Sequence, residues 1–340
     1  MEISEQLRDF DAFSHFNDEL LSRLAACAWR HLFAPGAYIF RQGDPSRETF
    51  ALLSGAIDLR INSAIGDFAL GVLSPGQLFG EANYIDHQGR SGNAVAREAC
   101  ELLLFDADRL AAMADKDAGF ELALLWSFWH SLSSKLRRAN AQLGTFFSDR
   151  GTPAPPLDVP AMPRRSDDGL DLSSRRAVFV EQRLSSMEIH FLASLSSEER
   201  FYAGEVIFRE GDAGDKMYVV LEGRVMISKR IPGAGEEALA FLERGDYFGE
   251  MALIDHETRS ASAKAHDDVA VLLSIAREVV EGLLNIDSVA STRLLNILCA
   301  LGASRLRAID QKIAGWHVLS QPSSAPITER TLPESDPPTP

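Results

Sequence analysis

The sequence is poor in several features that would assign it to a common class of protein. Its 340 residues contain three cysteines, Cys27, Cys100 and Cys299, which are odd in number and far apart. This spacing predicts reduced core thiols rather than a disulfide framework or a zinc site. No stretch approaches the roughly 18 to 20 consecutive apolar residues of a membrane helix, and the N-terminal MEISEQLRDFDAF lacks the order of a secretory signal. We therefore expect a cytoplasmic protein without membrane insertion.

Basic residues are also scarce relative to acidic ones. The 34 lysines and arginines stand against 49 aspartates and glutamates, which gives a formal net charge of −15. Duplex nucleic acid is bound chiefly through neutralisation of its phosphates, so we expect no nucleic acid partner. A small anionic ligand stays compatible with this charge, because one arginine in a preorganised pocket acts locally.

The signatures of common catalytic sites are missing too. The eight histidines include no pair one residue apart, which is the arrangement that a metal-dependent cupin enzyme places on a strand. The sequence contains neither a GxSxG nucleophile elbow nor a Walker-type phosphate loop. We expect no metal site, no catalytic residues and no bound cofactor, and hence a protein that is not an enzyme.

The sequence does contain one motif that occurs twice. FGEANYIDHQGRSGNAVA begins at Phe79 and FGEMALIDHETRSASAKA begins at Phe248, and in both copies an arginine follows a glutamate by nine residues. The pairs that recur 169 positions apart are Gly80 and Gly249, Glu81 and Glu250, Arg90 and Arg259, and Ser91 and Ser260. Packing alone would not need these polar types at fixed spacing. The repeat therefore indicates two copies of one small-anion site.

The duplication extends to the segments that precede the motif. At an offset of 168, Gly36 pairs with Gly204, Gly43 with Gly211, Asp44 with Asp212, and Gly55 with Gly223. The one-residue insertion in the second copy falls at the turn IPGAGEEA, where it costs little. Short apolar stretches such as FALLSGAIDL and YVVLEGRVMI alternate with turn signals. These patterns predict mainly β structure, as two jelly rolls of about 100 residues each with flanking helices.

Helical patterns flank the two β units. DELLSRLAACAWRHL precedes the first unit, and apolar residues at three- and four-residue steps predict long helices from Gly119 to about Leu143 and from Val289 to about Ile313. Each apolar stripe would pack on its own barrel, or else form a dimer seam, a partner surface or a lid over a ligand.

The composition between and after the units predicts the domain boundaries. The segment RGTPAPPLDVPAMPRRSDDG is rich in proline and charge, as flexible linkers are, and the C-terminal SQPSSAPITERTLPESDPPTP has a disordered composition. We expect a first domain at 10–147, a linker at 148–177, a second domain at 178–316 and a disordered tail at 317–340.

The repeated residue types favour one kind of ligand. A glycine lets the backbone approach a ligand closely, and the planar fork of an arginine holds two phosphate oxygens at once. The carboxylate would repel a phosphate, so it needs a donor such as a sugar hydroxyl. A ligand that carries a phosphate and a neighbouring hydroxyl satisfies both groups.

These residues resemble the phosphate-binding cassette of cyclic nucleotide-binding domains, a family that includes the regulatory subunits of cAMP-dependent protein kinase and the bacterial catabolite activator. The resemblance covers about 250 of the 340 residues. It implies that Glu250 accepts a hydrogen bond from the ribose 2′-hydroxyl, that Arg259 grips the exocyclic phosphate oxygens, and that Ser260 and nearby backbone amides complete the cradle. The ligand-binding residues so implied are Gly249, Glu250, Met251, Ala252, Arg259 and Ser260 in the second copy, and Gly80, Glu81, Ala82, Arg90 and Ser91 in the first.

The first copy departs from the second at four positions. Asn83 and Tyr84 replace the types found at Ala252 and Leu253, and Gly92 and Asn93 replace those at Ala261 and Ser262. The first site therefore either binds ligand with altered geometry or is inactive. Serine after the cassette arginine resembles cAMP readers more than cGMP readers of the kinase type, so we expect cAMP, with cGMP as the alternative. No motif identifies the residue that caps the base.

The resemblance implies a tandem receptor that relays a signal by changing its contacts with an unidentified protein effector, with a homodimer as an open alternative. A ligand-free interaction scaffold, with glutamate and arginine paired internally, is a second hypothesis. A third is a regulatory subunit that inhibits a kinase or another enzyme, suggested by the tandem units and by the basic pair Arg175 and Arg176. A transcription factor would need a basic helix-turn-helix after the sensor, and the roughly 55 residues after the second unit resemble one helix and an acidic tail.

Overall fold

The structure is a computed structural model of the 340-residue chain. It describes residues 2–63, 66–145, 192–231, 235–266, 268–286 and 288–320. The predicted linker at 148–177, with its basic pair, and residues 321–340 of the predicted tail lie outside the described residues.

The first domain consists of two antiparallel sheets with helices before, between and after the strands. Its helices are α1 (Ile3–Leu7), α2 (Asp18–Ala25), α3 (Glu81–Asp86), α4 (Ala107–Ala114) and α5 (Ala118–Thr145). Its strands are β1 (Ala28–Phe33), β2 (Tyr38–Phe40), β3 (Thr49–Ser54), β4 (Ile57–Ser63), β5 (Gly66–Leu73), β6 (Leu78–Phe79), β7 (Asn93–Ala96) and β8 (Cys100–Phe105). They pair in the orders β1-β8-β3-β6 and β2-β7-β4-β5.

The second domain repeats this plan. Its strands are β9 (Ser197–Tyr202), β10 (Val206–Phe208), β11 (Lys216–Glu222), β12 (Val225–Ile231), β13 (Gly235–Leu242), β14 (Tyr247–Phe248), β15 (Ser262–Ala265) and β16 (Val269–Ala276), and its helices are α6 (Glu250–Ile254), α7 (Arg277–Ile286) and α8 (Ser288–Ser320). The sheets have the orders β14-β11-β16-β9 and β10-β15-β12-β13. The predicted fold class, two jelly rolls with flanking helices, is confirmed.

The central strands are apolar on both faces because each face meets a different layer. Successive side chains of a strand point to opposite faces of the sheet. In β11, Tyr218 and Val220 belong to the core between the two sheets, whereas Met217, Val219 and Leu221 belong to a cluster shared with the helices. This double burial explains why YVVLEGRVMI reads as a nearly continuous apolar run.

The two long helices, α5 and α8, pack against each other in parallel. Glu121 hydrogen-bonds with Asn296, the Cys299 thiol lies 3.5 Å from the Leu125 carbonyl oxygen, and a Cβ at Gly302 would lie 3.7 Å from Leu132. The residue numbers at these contacts increase together along both helices, so the two helices run in the same direction. Apolar residues of both helices belong to one hydrophobic cluster shared by both domains.

One predicted helix is wrong in its second half. In DELLSRLAACAWRHL, α2 ends at Ala25, and the following residues form the edge strand β1, whose Ala28 to Phe33 pair with Phe105 to Cys100 of β8. The leucines of α2 have a helical period. The pairing that makes the next segment a strand involves β8, which lies about 70 residues later, and it leaves no local signal. At the other end, α8 extends to Ser320, four residues into the predicted tail.

The three cysteines are free and buried, which confirms that they are core thiols. Among the described residues, no helix is long and apolar enough to cross a bilayer. The same residues include no cluster of three histidine, cysteine or acidic side chains able to hold a metal ion.

Candidate ligand-binding sites

Each cassette begins at a position that strongly favours glycine. Gly80 and Gly249 directly follow β6 and β14 and have φ of 86° and 79°, in the left-handed region that residues with a side chain rarely adopt. A Cβ on either would lie 2.7 Å from Nη1 of Arg90 or Arg259. The group that approaches this backbone closely is therefore the cassette arginine.

The cassette arginines are almost fully buried. Arg259 is 4% exposed, and it donates from Nη1 to the Gly249 carbonyl oxygen at 2.6 Å and from Nη2 to the Lys216 carbonyl oxygen at 2.7 Å. Its guanidinium lies 4.2 Å from the ring centre of Phe208. Burial lowers the pKa of Arg259, and it lowers the pKa of Arg90 to about 10. A guanidinium stays protonated in proteins, so both side chains are cationic at neutral pH.

The two arginines differ at Nε. In the first domain, Arg90 Nε donates to Ser46 Oγ at 3.1 Å. The position equivalent to Ser46 is Gly214, 168 residues later, which has no side chain. Arg259 Nε is accordingly buried without a hydrogen-bond partner. The second cassette retains an unused donor that the first has satisfied internally.

The cassette glutamates pair with cations from the long helices. Glu250 is 1% exposed, and its Oε1 accepts from Nη1 of Arg305 at 2.6 Å, while Oε2 is buried without a partner. In the first domain, Lys135 Nζ donates to both oxygens of Glu81, at 2.5 and 2.7 Å. Neither glutamate forms an ion pair with its cassette arginine. The glutamate–arginine pair expected of a ligand-free scaffold is therefore not formed in either cassette.

All six residues predicted for the second site line one cavity. They are Gly249, Glu250, Met251, Ala252, Arg259 and Ser260. Phe208, Leu136 and Ile309 add apolar surface, and Asn140 of α5 reaches the same cavity from the first domain. The second cavity is thus built by both domains.

The first site is assembled less completely. Gly80, Glu81, Ala82 and Ser91 line one cavity together with Lys135 and Asp310, but Arg90 does not line it.

The four departures in the first copy form internal contacts. Asn83 donates to the Gln88 carbonyl oxygen at 2.7 Å, and Tyr84 packs on Phe128 at 5.1 Å between ring centres. Asn93 accepts from the Gln42 amide at 3.0 Å, and a Cβ at Gly92 would lie 2.5 Å from the Arg60 carbonyl oxygen. Three of the four residues thus contact neighbours within the first domain, and the fourth lies too close to the Arg60 backbone for a side chain.

Each cassette also accepts hydrogen bonds from an arginine on the long helix of the other domain. Arg137 of α5 donates to both carboxylate oxygens of Asp255 at 2.7 Å and to the Thr258 carbonyl oxygen at 2.8 Å. Arg307 of α8 donates in the same way to Asp86, at 2.6 and 3.0 Å, and to the Gly89 carbonyl oxygen at 2.8 Å. We call these contacts the reciprocal clamps.

These helix residues were not predicted from the sequence, although they too are repeated. SKLRRAN begins at Ser134 and SRLRAID begins at Ser304, 170 positions later. The repeat places Lys135 with Arg305, Arg137 with Arg307, and Asn140 with Asp310. A search for repeats at this offset in the helices would have found them.

Two tandem β sandwiches, each with a glycine-initiated cassette and a helix that contacts it, define a class of two-domain binding protein. The family model of the cyclic nucleotide-binding domain matches residues 30–117 and 198–287. The chain belongs to this family, which confirms the resemblance.

Several curated proteins are similar to this chain. A cGMP-dependent protein kinase of Toxoplasma gondii is 25% identical over 282 residues, which are 83% of this chain and 23% of the kinase. A cAMP-dependent protein kinase regulatory subunit of Colletotrichum orbiculare is 26% identical over 261 residues, 76% of this chain and 56% of the subunit. The cyclic AMP receptor protein of Thermus thermophilus is 36% identical over 134 residues, 38% of this chain and 58% of the receptor. The chain spans less than two thirds of the length of each.

Proposed function

We propose that the chain is a non-enzymatic receptor for a cyclic nucleotide, with cAMP bound at the second site. The observation that carries this proposal is a set of three buried polar atoms without partners, Glu250 Oε2, Arg259 Nε and Asn140 Oδ1, on residues that line one cavity. Each buried, unsatisfied polar atom costs about 1 to 3 kcal/mol. Three of them around one cavity indicate a ligand that supplies one acceptor and two donors.

A cyclic nucleotide supplies these groups in the required combination. A phosphate oxygen accepts from Arg259 Nε, and a ribose hydroxyl donates to Glu250 Oε2 without displacing Arg305 from Oε1. The base then lies among apolar side chains near Asn140, whose free oxygen accepts from an exocyclic amino group. Adenine and guanine both carry such a group, so the preference for cAMP is supported by Ser260, the serine that follows the cassette arginine.

The same contacts link the cavity to both long helices. Arg305 of α8 holds the glutamate that would bind ribose, and Asn140 of α5 lies at the opposite wall. A ligand that prefers one arrangement of these helices shifts their equilibrium, and a protein partner that recognises that arrangement is captured or released. A protein kinase is one candidate partner, because a kinase regulatory subunit aligns with 76% of this chain.

Calorimetric titration of the full chain with cAMP and cGMP tests the proposal. Arg259→Ala should cost about 2 to 5 kcal/mol of cAMP affinity, as the loss of one member of a charge-assisted pair does. Arg230→Ala is the control, because Arg230 is an exposed arginine of β12 that does not line the cavity. If no cyclic mononucleotide gives heat at high micromolar concentration, the scaffold hypothesis stands instead. Unchanged binding by Arg259→Ala would show that the second site is misassigned.

A further inference from the structure

Each cavity receives one polar side chain from the opposite domain, and the two side chains differ. Asn140 of α5 lines the second cavity, and Asp310 of α8 lines the first. The two residues are 170 positions apart, the offset that also relates Lys135 to Arg305. They are therefore equivalent positions of the two pockets, one an amide and the other a carboxyl.

Both side chains are more than nine-tenths buried. Asn140 is 6% exposed; its Nδ2 donates to Ser260 Oγ at 3.3 Å, and its Oδ1 has no partner. Asp310 is 7% exposed, and the positive charges of Lys135 and Arg307 act on its carboxyl group. Each residue thus offers acceptor oxygens inside a pocket from which water is largely excluded.

The edges of the purines distinguish an amide from a carboxylate. Adenine presents an amino donor beside a ring nitrogen that accepts, whereas guanine presents a ring N–H and an amino group that both donate. A carboxamide has one donor group and one acceptor, but an ionised carboxylate only accepts. Two oxygens of a carboxylate are matched by the two guanine donors. With adenine, one carboxylate oxygen would face the lone pair of the ring nitrogen, and two acceptors repel each other.

The remainder of the first site makes the base contact more important there. Arg90 Nε already donates to Ser46, and both oxygens of Glu81 are bonded to Lys135. The sugar and phosphate of a ligand therefore find fewer unsatisfied groups than at the second site. Discrimination at the first site depends more on the group that meets the base.

We propose that the first site selects a guanine cyclic nucleotide, cGMP, through Asp310, while Asn140 makes the second site select adenine. This inference rests on the proposed function, since it assumes that both cavities take cyclic nucleotides. The chain is then a receptor for two different ligands, and each ligand is read by a residue of the other domain.

The test is titration of the full chain with cGMP and cAMP at pH 8, above the pKa of about 7 that burial gives Asp310. Two variants of lining residues assign the sites: Glu81→Ala should abolish cGMP binding and retain cAMP binding, and Arg259→Ala should do the reverse. Asp310→Asn should weaken cGMP at least tenfold and leave cAMP at the second site within twofold. Asn140→Asp should weaken cAMP and strengthen cGMP at the second site.

The outcomes separate the two proposals. If no cyclic nucleotide binds at all, the proposed function and this inference both fail. If cAMP binds and is lost in Arg259→Ala, but cGMP does not bind or is lost only in that variant, the inference alone is overturned. Circular dichroism identifies variants that do not fold, and Asn140→Asp then decides from the second site, where unchanged base preference would refute the role of this position.

Discussion

The reciprocal clamps should contribute measurably to the stability of the whole chain. Arg137 reaches from the first domain to Asp255 in the second with two hydrogen bonds of 2.7 Å. Arg137→Ala would leave the Asp255 carboxylate without its bidentate partner, and Asp255 is 19% exposed at its side chain. The unpaired carboxylate would then be only partly solvated, so the variant should be destabilised.

The size of the effect follows from the degree of burial. Exposed ion pairs contribute about 0.2 to 1 kcal/mol, whereas removal of one partner from a buried pair costs about 3 to 5 kcal/mol. Arg137 and Asp255 are 23% and 19% exposed, which is between these limits but close to the buried one. We expect a coupling free energy of about 1 to 3 kcal/mol between them.

A double-mutant cycle of Arg137→Ala and Asp255→Ala, followed by urea unfolding with circular dichroism, measures this coupling. The matched control is the cycle for Arg8 and Asp18, which also lie 2.7 Å apart but are 55% and 80% exposed. That pair should couple by less than about 1 kcal/mol. If the cross-domain pair couples no more strongly than the control pair, the clamp does not stabilise the assembly of the domains.

Two further predictions concern the backbone of the cassette and the ionisation of the first cavity. Because Gly249 has a positive φ, Gly249→Ala should lower the unfolding free energy by at least about 1 to 2 kcal/mol. The added Cβ would also clash with the cassette guanidinium, so the variant should bind cAMP more weakly. Gly211→Ala is the control: Gly211 has φ 87° with open space around it, so this variant should lose stability only. Burial raises the pKa of Asp310 to about 7 against the opposing charges of Lys135 and Arg307. The protonated Asp310 side chain therefore contributes its full stabilisation below about pH 4, and this stabilisation is lost as the pH rises through 7. The total loss is on the order of 4 kcal/mol. The stability of Asp310→Asn relative to wild type should therefore rise between pH 5 and pH 8, and a constant difference would refute the raised pKa.

The elements that the sequence predicted correctly are those with strong local patterns. The cassette was recognisable because its glycine, glutamate and arginine recur at one spacing, and the strands were recognisable from β-branched and apolar residues between turn signals. The extents of the long helices were also close, since Ala118–Thr145 was expected from Gly119 and Ser288–Ser320 from Val289. Local periodicity therefore identified the long helices and the apolar strands, but not the edge strand β1.

Periodicity could not show which surfaces meet. An apolar stripe identifies the buried face of a helix but not the element that covers it, so the pairing of α5 with α8 stayed open. The partners of Glu81 and Glu250 were missed for a related reason. Lys135 and Arg305 lie 54 and 55 residues from these glutamates along the chain, and they become neighbours only when each helix folds back onto its cassette.

The cross-domain contacts have a consequence for binding at the two sites. The cassette of each domain is held by an arginine of the opposite helix, and each cavity is completed by a residue one turn further along that same helix. A ligand that moves the second cassette therefore moves α5, which also carries the Lys135 that occupies Glu81 in the first site. If a ligand at the second site changes affinity at the first, linkage requires a ligand at the first site to change affinity at the second by the same factor. If the two sites bind different ligands as proposed, sites joined in this way would compare the concentrations of two ligands, whereas two equal and separate sites would report one concentration twice.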